Sequence, residues 1–171
     1  ELAPIPVATN DLICNAIPLG DPFVAPVGAT NQHNLCADDI GDPNPSAFST
    51  DQTVWYTFTT PTTGGPFAVD IELNTGLPWP FGSGSIDLQV AVYSSSNNTC
   101  TGTLTEVDSD YDPIIFDEDL TVQCLLPNTT YFVMVDGSWL DPQGYFDIDI
   151  SPAPSVPIPT NDLICSAVNL G

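Results

Sequence analysis

The chain has 171 residues, of which 22 are acidic, one is histidine and none is lysine or arginine, so its formal net charge is −22. Because nucleic acids and anionic membranes are bound through cationic side chains, this composition excludes both as partners. The length suits one domain with a sizeable core, in which carboxylates are balanced by solvent, hydrogen-bond donors or metal cations.

The chain begins with a proline-rich segment, residues 1–9, which predicts an extended connector because proline fixes φ and favours polyproline geometry. A second proline-rich segment, residues 152–160, predicts another connector. Between them, residues 10–151 show short β-branched runs broken by turn signals and no helical periodicity. We therefore predict a single all-β domain for this part of the chain.

Five runs in this domain alternate in the manner of strands that bury one face. They are residues 54–59, 67–73, 86–93, 131–135 and 145–150. The run 131–135 is apolar on both faces, which predicts a central strand. Weaker patterns predict strands at 22–28, 104–107 and 119–125. About eight short antiparallel strands predict a β-sandwich of the jelly-roll or immunoglobulin-like kind.

One motif of fifteen residues occurs twice in the chain. Residues 6–20 and 157–171 are identical at ten positions and share the unbroken run Thr-Asn-Asp-Leu-Ile-Cys. Their offset of 151 residues is about the size of one sandwich domain, and a motif that recurs at such an interval is typical of a tandem array. We predict one full repeat followed, at residues 161–171, by the start of the next.

The second copy of the motif suggests how neighbouring repeats are joined. We predict that residues 163–170 add as a strand to the neighbouring domain, so that backbone hydrogen bonds continue along the array. One unbroken giant chain and separate subunits joined by strand donation both fit this pattern. The side chains predicted to make the contact between repeats are Leu163, Ile164, Cys165, Val168 and Leu170.

The five cysteines fit a disulfide-bonded protein once the duplication is counted, because Cys165 is the copy of Cys14. Four cysteines then remain in one period, and proximity in sequence favours Cys14–Cys36 and Cys100–Cys124 among three possible connectivities. Cys165 would pair with the counterpart of Cys36 in the following repeat. No CxxC or cysteine–histidine spacing indicates zinc, and disulfides indicate a location outside the cytosol. Neither a signal peptide nor a membrane span is recognisable, so we expect export signals elsewhere or already removed.

Five segments occur in an order that is typical of a known module. They are NDLICNAIPL at 10–19, VWYTFTTP at 54–61, IDLQVAVY at 86–93, CTGTLTEV at 100–107 and NTTYFVMVDG at 128–137. Together they resemble the pre-peptidase C-terminal-like β-sandwich modules, which occur, often in tandem, in very large secreted or surface proteins of bacteria. The resemblance spans nearly the whole chain and implies an extracellular sandwich module. Relatives often carry a second cysteine soon after the Glu-Val pair, where this chain has Asp108.

A first candidate calcium site lies at the entrance to the domain. In some related collagen-binding modules, an Asn-Asp pair at this point and nearby loop carboxylates hold calcium. The resemblance therefore implies this role for Asn10 and Asp11, and by extension for Asp38 and Asp39. A Cys14–Cys36 bridge would bring the two pairs together.

A second candidate calcium site consists of Asp108, Asp110 and Asp112. Their i, i+2, i+4 spacing could present oxygen ligands from a loop to a hard cation, although the glycine and distal glutamate of an EF-hand are missing. The alternative for both sites is a solvated acidic loop at one end of the sandwich. Alternation predicts that four other carboxylates point outward on a hydrated sheet face: Asp70, Glu72, Asp147 and Asp149.

No pattern in the chain predicts catalysis. His33 is the only imidazole, and no motif places a serine or cysteine nucleophile beside it. We therefore predict a protein that is not an enzyme.

Two tryptophans and two sequons are the remaining candidates for surface function. Trp79 and Trp139 lie in predicted loops, where they could stack on sugar rings, contact a neighbouring subunit or fold back over the core. Asn97 and Asn128 each begin an Asn-x-Thr glycosylation sequon, which requires a surface position.

These observations together predict a structural repeat of an extracellular filament, adhesin or giant surface protein. Its partners would be neighbouring copies of the same repeat, linked head to tail, with calcium as a possible stabilising ion. The alternative is a carbohydrate- or substrate-binding module of a secreted hydrolase, in which Trp79 and Trp139 contact polysaccharide.

Overall fold

The computed structural model describes residues 7–75, 87–111, 118–137 and 143–155, which form nine strands in two packed sheets. The predicted β-sandwich is therefore confirmed. Within these ranges the only helical element is a single 3₁₀ turn, Ile13–Asn15. The strands are β1 (Ile17–Gly20), β2 (Val27–His33), β3 (Val54–Thr59), β4 (Phe67–Asn74), β5 (Leu88–Ser95), β6 (Leu104–Asp110), β7 (Glu118–Leu125), β8 (Thr130–Gly137) and β9 (Tyr145–Pro152).

One sheet has five strands in the order β1-β3-β8-β5-β6, and the other has four in the order β2-β9-β4-β7. Every pairing is antiparallel except that between β1 and β3, which run parallel. The strand predicted to be central, β8, lies in the middle of the five-stranded sheet. The strand predicted at 22–28 begins only at Val27, because the Asp21 side chain accepts the Phe23 N–H (2.9 Å) and closes a turn there.

The main core fills the space between the two sheets. Alternate side chains of β3, β4, β5, β8 and β9 point into it, as their period-2 patterns predicted. Among its fully buried members are Val54, Phe58, Ile71, Leu73, Leu88, Ile148 and Ile150.

A second apolar cluster covers the outer face of the five-stranded sheet. Its buried members are Trp55, Ala91, Tyr93, Phe132 and Met134, and Ile13, Ala16, Phe48, Cys100 and Leu104 pack against them. These covering residues include members of the chain before β1 and of the long connection 34–53. The central strands are therefore apolar on both faces because both faces are buried.

The chain enters and leaves the sandwich at opposite ends. At the proximal pole, Asn10 lies beside Trp55 at the start of β3, and the Ala8 N–H donates to Leu35 just beyond the end of β2. At the distal pole, β9 ends, and the Ala153 N–H donates to Ala68 at the start of β4. The two poles are separated by the full length of the strands.

The disulfide joins Cys14 to Cys100, with Cα atoms 5.0 Å apart, so the predicted pairs Cys14–Cys36 and Cys100–Cys124 are wrong. Cys36 and Cys124 are free and exposed. The physical reason is the path of the chain before β1, which places Ile13 against the second apolar cluster together with Cys100, on the hairpin between β5 and β6. Proximity in sequence gave no information about that path.

Candidate functional site

In the first copy of the duplicated motif, Asn10 fixes the start of the domain. Asn10 is buried, and its Nδ2 donates to the Trp55 carbonyl oxygen (3.0 Å) while its own carbonyl oxygen accepts the Trp55 N–H (2.9 Å). The side-chain amide of Asn10 supplies the donor and its backbone carbonyl supplies the acceptor, so Asn10 pairs with Trp55 much as a strand neighbour would. The motif therefore begins by attaching itself to the first residues of β3.

The following residues attach the motif to two further parts of the same domain. The Asp11 Oδ1 atom accepts the backbone N–H of Asp38 (2.7 Å), and Cys14 bonds covalently to Cys100. Ile13 packs on the second apolar cluster, whereas Leu12 is 53% exposed. The motif thus ties together β3, the connection 34–53 and the hairpin between β5 and β6.

The connection 34–53 is held in place by carboxylates. Asp136 accepts the backbone N–H groups of Asp51 (3.1 Å) and Gln52 (2.7 Å). Glu106 accepts the Ser46 N–H (2.9 Å to Oε2) and the Ser46 hydroxyl (2.6 Å to Oε1). Because the chain has no lysine or arginine, backbone N–H groups and hydroxyls take the role that basic side chains usually have.

Burial changes the acidity of these groups. Burial raises the pKa of Asp136 to about 6, although the N–H donors of Gln52, Gly137 and Asp51 partly oppose the rise. For Glu106, burial acts to raise the pKa, but the hydrogen bonds from Ser46 and Ser109 outweigh it and lower the pKa overall.

Asp42 adds a further carboxylate to the proximal pole. Its side chain accepts the Thr53 hydroxyl, and burial raises its pKa. The Thr53 hydrogen bond opposes this rise, whereas the charges of Asp11 and Asp39 add to it. Asp42, like Asp136 and Glu106, was not singled out from the sequence, because no local motif marks it.

The first candidate calcium set is only partly assembled. Asp11 and Asp38 do meet, through the backbone N–H of Asp38 and without a Cys14–Cys36 bridge, and Asp39 accepts the Thr50 hydroxyl (3.3 Å). The Asn10 amide nitrogen is bonded to Trp55. In the described ranges, no group of three or more His, Cys, Asp or Glu side chains is placed to hold a metal ion.

The two described members of the second candidate set lie in a strand and not in the predicted loop. Asp108 and Asp110 lie within β6, opposite Val92 and Val90 of β5, where they share one face of the sheet. Their side chains accept the N–H groups of the residues that follow them, Ser109 (3.0 Å) and Tyr111 (2.8 Å). The strand β6 extends to Asp110, beyond the predicted end at residue 107. The sequence did not indicate this extension because apolar and polar residues do not alternate clearly over residues 106–110.

The outer face of the four-stranded sheet is acidic, as predicted. Asp149 of β9 lies opposite Glu72 of β4, and Glu72 lies opposite Asp119 of β7. Asp70 and Asp147 extend the same face, and Asp70 accepts the Thr121 hydroxyl (2.6 Å). Like charges directly opposite each other on a sheet are destabilising, so this face favours cations in the surrounding solvent.

The two sequons differ in their surroundings. The Asn97 Oδ1 accepts both the N–H and the hydroxyl of Thr99 (3.0 and 2.8 Å), and its Nδ2 donates to Thr101 (3.2 Å). Asn128 is exposed in the turn before β8 with φ at 52°, and its side chain bonds to no described residue. Its amide nitrogen is thus the more accessible of the two.

Several residues singled out from the sequence lie outside the described residues. They are Trp79, Asp112, Trp139, Leu163, Ile164, Cys165, Val168 and Leu170.

Comparison with protein-family models and with curated protein sequences finds no match. Among the described residues there is no helix of the length and hydropathy that crossing a membrane requires.

Proposed function

We propose that this protein is a structural repeat of an extracellular array, in which one β-sandwich is followed head to tail by the next. The observation that carries the proposal is the set of contacts that the first copy of the motif makes with the domain after it. Asn10, Asp11 and Cys14 each bind a different part of the sandwich that follows them. An identical run at residues 160–165 therefore has the residues needed to begin a second sandwich of the same kind.

The position of the two poles supports linear growth. Because the chain enters at Asn10 and leaves at Pro152, at opposite ends of the strands, a following domain would extend the array along the strand direction. A repeated head-to-tail contact of this kind forms an open filament, unless the rotation between successive copies brings the last copy back to the first and makes a ring.

The strand that links the repeats can be named from the first copy. Residues 17–20 form β1, which pairs in parallel with β3 at the edge of the five-stranded sheet. Residues 168–171 occupy the same place in the second copy, and Val168 and Leu170 correspond to Ile17 and Leu19. We propose that they form β1 of the next domain, whether that domain is on the same chain or on another subunit.

A location outside the cytosol is part of the same proposal. The Cys14–Cys100 disulfide is stable under oxidising conditions, which are found at cell surfaces and in secretions. The proposal includes calcium as a stabilising ion for the proximal pole, where the charges of Asp11 and Asp39 add to the effect of burial in raising the pKa of Asp42. The alternative of a polysaccharide-binding module depends on Trp79 and Trp139, which lie outside the described residues.

Electron micrographs of the native material test the proposal. We expect a fibre or surface stalk whose axial repeat is one sandwich length, and the mass of the denatured material distinguishes one giant chain from many subunits. A native monomer of this single domain, from which a protease removes residues 156–171 without effect on oligomeric state, would contradict the proposal.

A further inference from the structure

Two thiols remain unpaired in a domain that forms a disulfide elsewhere. Cys36 and Cys124 are both exposed, and both have positive φ values of 59°. Cys36 follows β2 at the proximal pole, whereas Cys124 lies at a register shift near the end of β7 at the distal pole. Neither belongs to the Cys14–Cys100 bond.

These two thiols cannot bond to each other within one domain. β2 and β7 are the opposite edges of the four-stranded sheet, three strand spacings of about 4.8 Å apart. The cysteines also lie at opposite ends of the strands, which adds roughly 20 Å or more along the strand direction. A disulfide needs Cα atoms within about 7 Å, so each thiol requires a partner outside its own domain.

Each thiol lies next to the path of the chain at its own pole. Cys36 is flanked by Leu35, whose carbonyl oxygen accepts the Ala8 N–H (3.1 Å), and shortly afterwards by Asp38, whose N–H donates to Asp11. The segment that contains Cys36 therefore runs beside the incoming chain.

The same is true of Cys124 at the other end. Its neighbour Gln123 donates from Nε2 to the carbonyl oxygen of Pro154 (3.3 Å), in the outgoing chain. Cys36 therefore lies beside the chain where it enters the domain, and Cys124 lies beside the chain where it leaves.

The proposed array brings these two ends together. Asn161 is the counterpart of Asn10 and lies seven residues after Pro154, so a fully extended connection spans at most about 25 Å. Resting on the proposed function, we propose that Cys124 of one domain forms a disulfide with Cys36 of the next. The bond is heterologous, so each domain gives one thiol forwards and one backwards along the array.

The charge of the chain gives such a bond a physical role. Copies with a net charge of −22 and no lysine or arginine repel each other and have no cationic side chain for ion pairs across a contact. Apolar side chains are available at each pole: Val7 and Ile40 are 62% and 77% exposed at the proximal pole, and Val24 and Leu126 are 84% and 64% exposed at the distal pole. A covalent bond would hold these surfaces together against the repulsion.

The bond forms by thiol–disulfide exchange with an external disulfide such as oxidised glutathione. The Cys124 thiolate attacks one glutathione sulfur and releases the first glutathione thiolate. The Cys36 thiolate of the neighbour then attacks the Cys124 sulfur and releases the second. Two cysteine thiols lose two electrons, glutathione disulfide gains them, and the two protons end on the released glutathione thiols.

Complementary single variants of the full chain test this pairing. All chains carry Cys165→Ser, so that this cysteine cannot take part, and keep Cys14 and Cys100. Cys36→Ser chains and Cys124→Ser chains are incubated with oxidised glutathione, separately and as an equal mixture. We expect a covalent dimer in the mixture, absent from either variant alone, because only the mixture supplies both thiols.

Mass spectrometry of a pepsin digest identifies the bond, since trypsin has no lysine or arginine at which to cut. The expected product is one peptide containing Cys124 joined to one containing Cys36. No dimer in the mixture, or equal dimer in one variant alone, overturns the inference. Native fibres that contain no such bond overturn it and leave the proposed function standing, whereas a monomeric native protein removes both.

Discussion

Single carboxylates hold much of this fold in place. Asp136 is buried where the connection 34–53 meets β8, and its two oxygens receive the N–H groups of Asp51 and Gln52. Burial at such a site destabilises an ionised carboxylate by removing it from water. Here this effect is larger than the stabilisation from the hydrogen bonds, and the pKa therefore rises to about 6. The same residue is therefore an anchor and a source of pH dependence.

We predict that mild acid stabilises the domain through Asp136. Its pKa is 3.8 when unperturbed and about 6 in the folded protein, so between these pH values the folded state holds a proton that the unfolded state has lost. This contribution is fully present below the unperturbed value and disappears as the pH rises through about 6. It amounts to at most about 3 kcal/mol. Urea unfolding at a series of pH values from 4 to 8 measures it.

The variant Asp136→Ala separates this effect from the general charge of the chain. It leaves the part-buried N–H groups of Asp51 and Gln52 without this acceptor, so we expect it to lose about 1–3 kcal/mol of stability at pH 5 and less at pH 8. Asp110→Ala, at an exposed position of β6 opposite Val90, serves as the control and should keep the wild-type slope. An unchanged slope in Asp136→Ala would mean that another group titrates.

At the scale of elements, the chain before β1 organises the five-stranded sheet. It supplies Ile13 and Ala16 to the second apolar cluster, the Asn10 contact to β3 and the covalent bond to Cys100. β1 alone has four residues and one partner strand, so its attachment depends on these neighbouring contacts.

We predict that loss of the Cys14–Cys100 bond destabilises the domain by about 2–4 kcal/mol, because it closes a long loop in the unfolded chain. Cys14→Ser, Cys100→Ser and reduced wild type should all show this loss in urea unfolding. Cys36→Ser and Cys124→Ser are matched controls and should unfold like the wild type. If Cys36→Ser were as damaging as Cys14→Ser, the pairing would be Cys14–Cys36.

The sequence predicted well those strands whose own pattern of apolar and polar residues reflects which of their faces are buried. In β4 and β9, one solvated and one buried face produce clean alternation, while β8 has apolar residues on both faces because the second cluster covers it. β1 could not be predicted, since four residues that include Pro18 cannot establish a period of two.

The site was less predictable than the fold because its contacts join distant parts of the chain. Asp136 meets Asp51 and Gln52 across more than eighty residues, and Cys14 meets Cys100 across 86. Such partners depend on the three-dimensional path, which local patterns do not contain. Asn10 and Asp11 were singled out through the resemblance to related calcium-binding modules, whereas their described contacts are with Trp55 and Asp38 of the same domain.

At the scale of the whole molecule, charge is the dominant feature. The acidic row Asp149–Glu72–Asp119 runs across the four-stranded sheet, and no lysine or arginine balances it. Repulsion of this kind opposes folding and is screened by salt.

We therefore predict that the melting temperature rises with sodium chloride, and that calcium raises it further at matched ionic strength. A ligand that binds only the folded state must raise the melting temperature, and a chelator should reverse the calcium effect. Magnesium chloride is the control for divalent charge alone. If calcium acts no differently from sodium at equal ionic strength, calcium is not a stabilising ligand of this protein.

The bond between Cys14 and Cys100 also determines how the domain would respond to tension. A pull applied at Asn10 and at Pro152 reaches Cys14 first and passes through the two sulfur atoms to Cys100, bypassing the chain between them, which spans a sequence separation of 86. The chain enclosed by the disulfide cannot extend when the domain unfolds, and this removes about 290 Å of possible extension. Under tension, an array of such domains would lengthen only by unfolding of the residues after Cys100. Its total extension would therefore be limited.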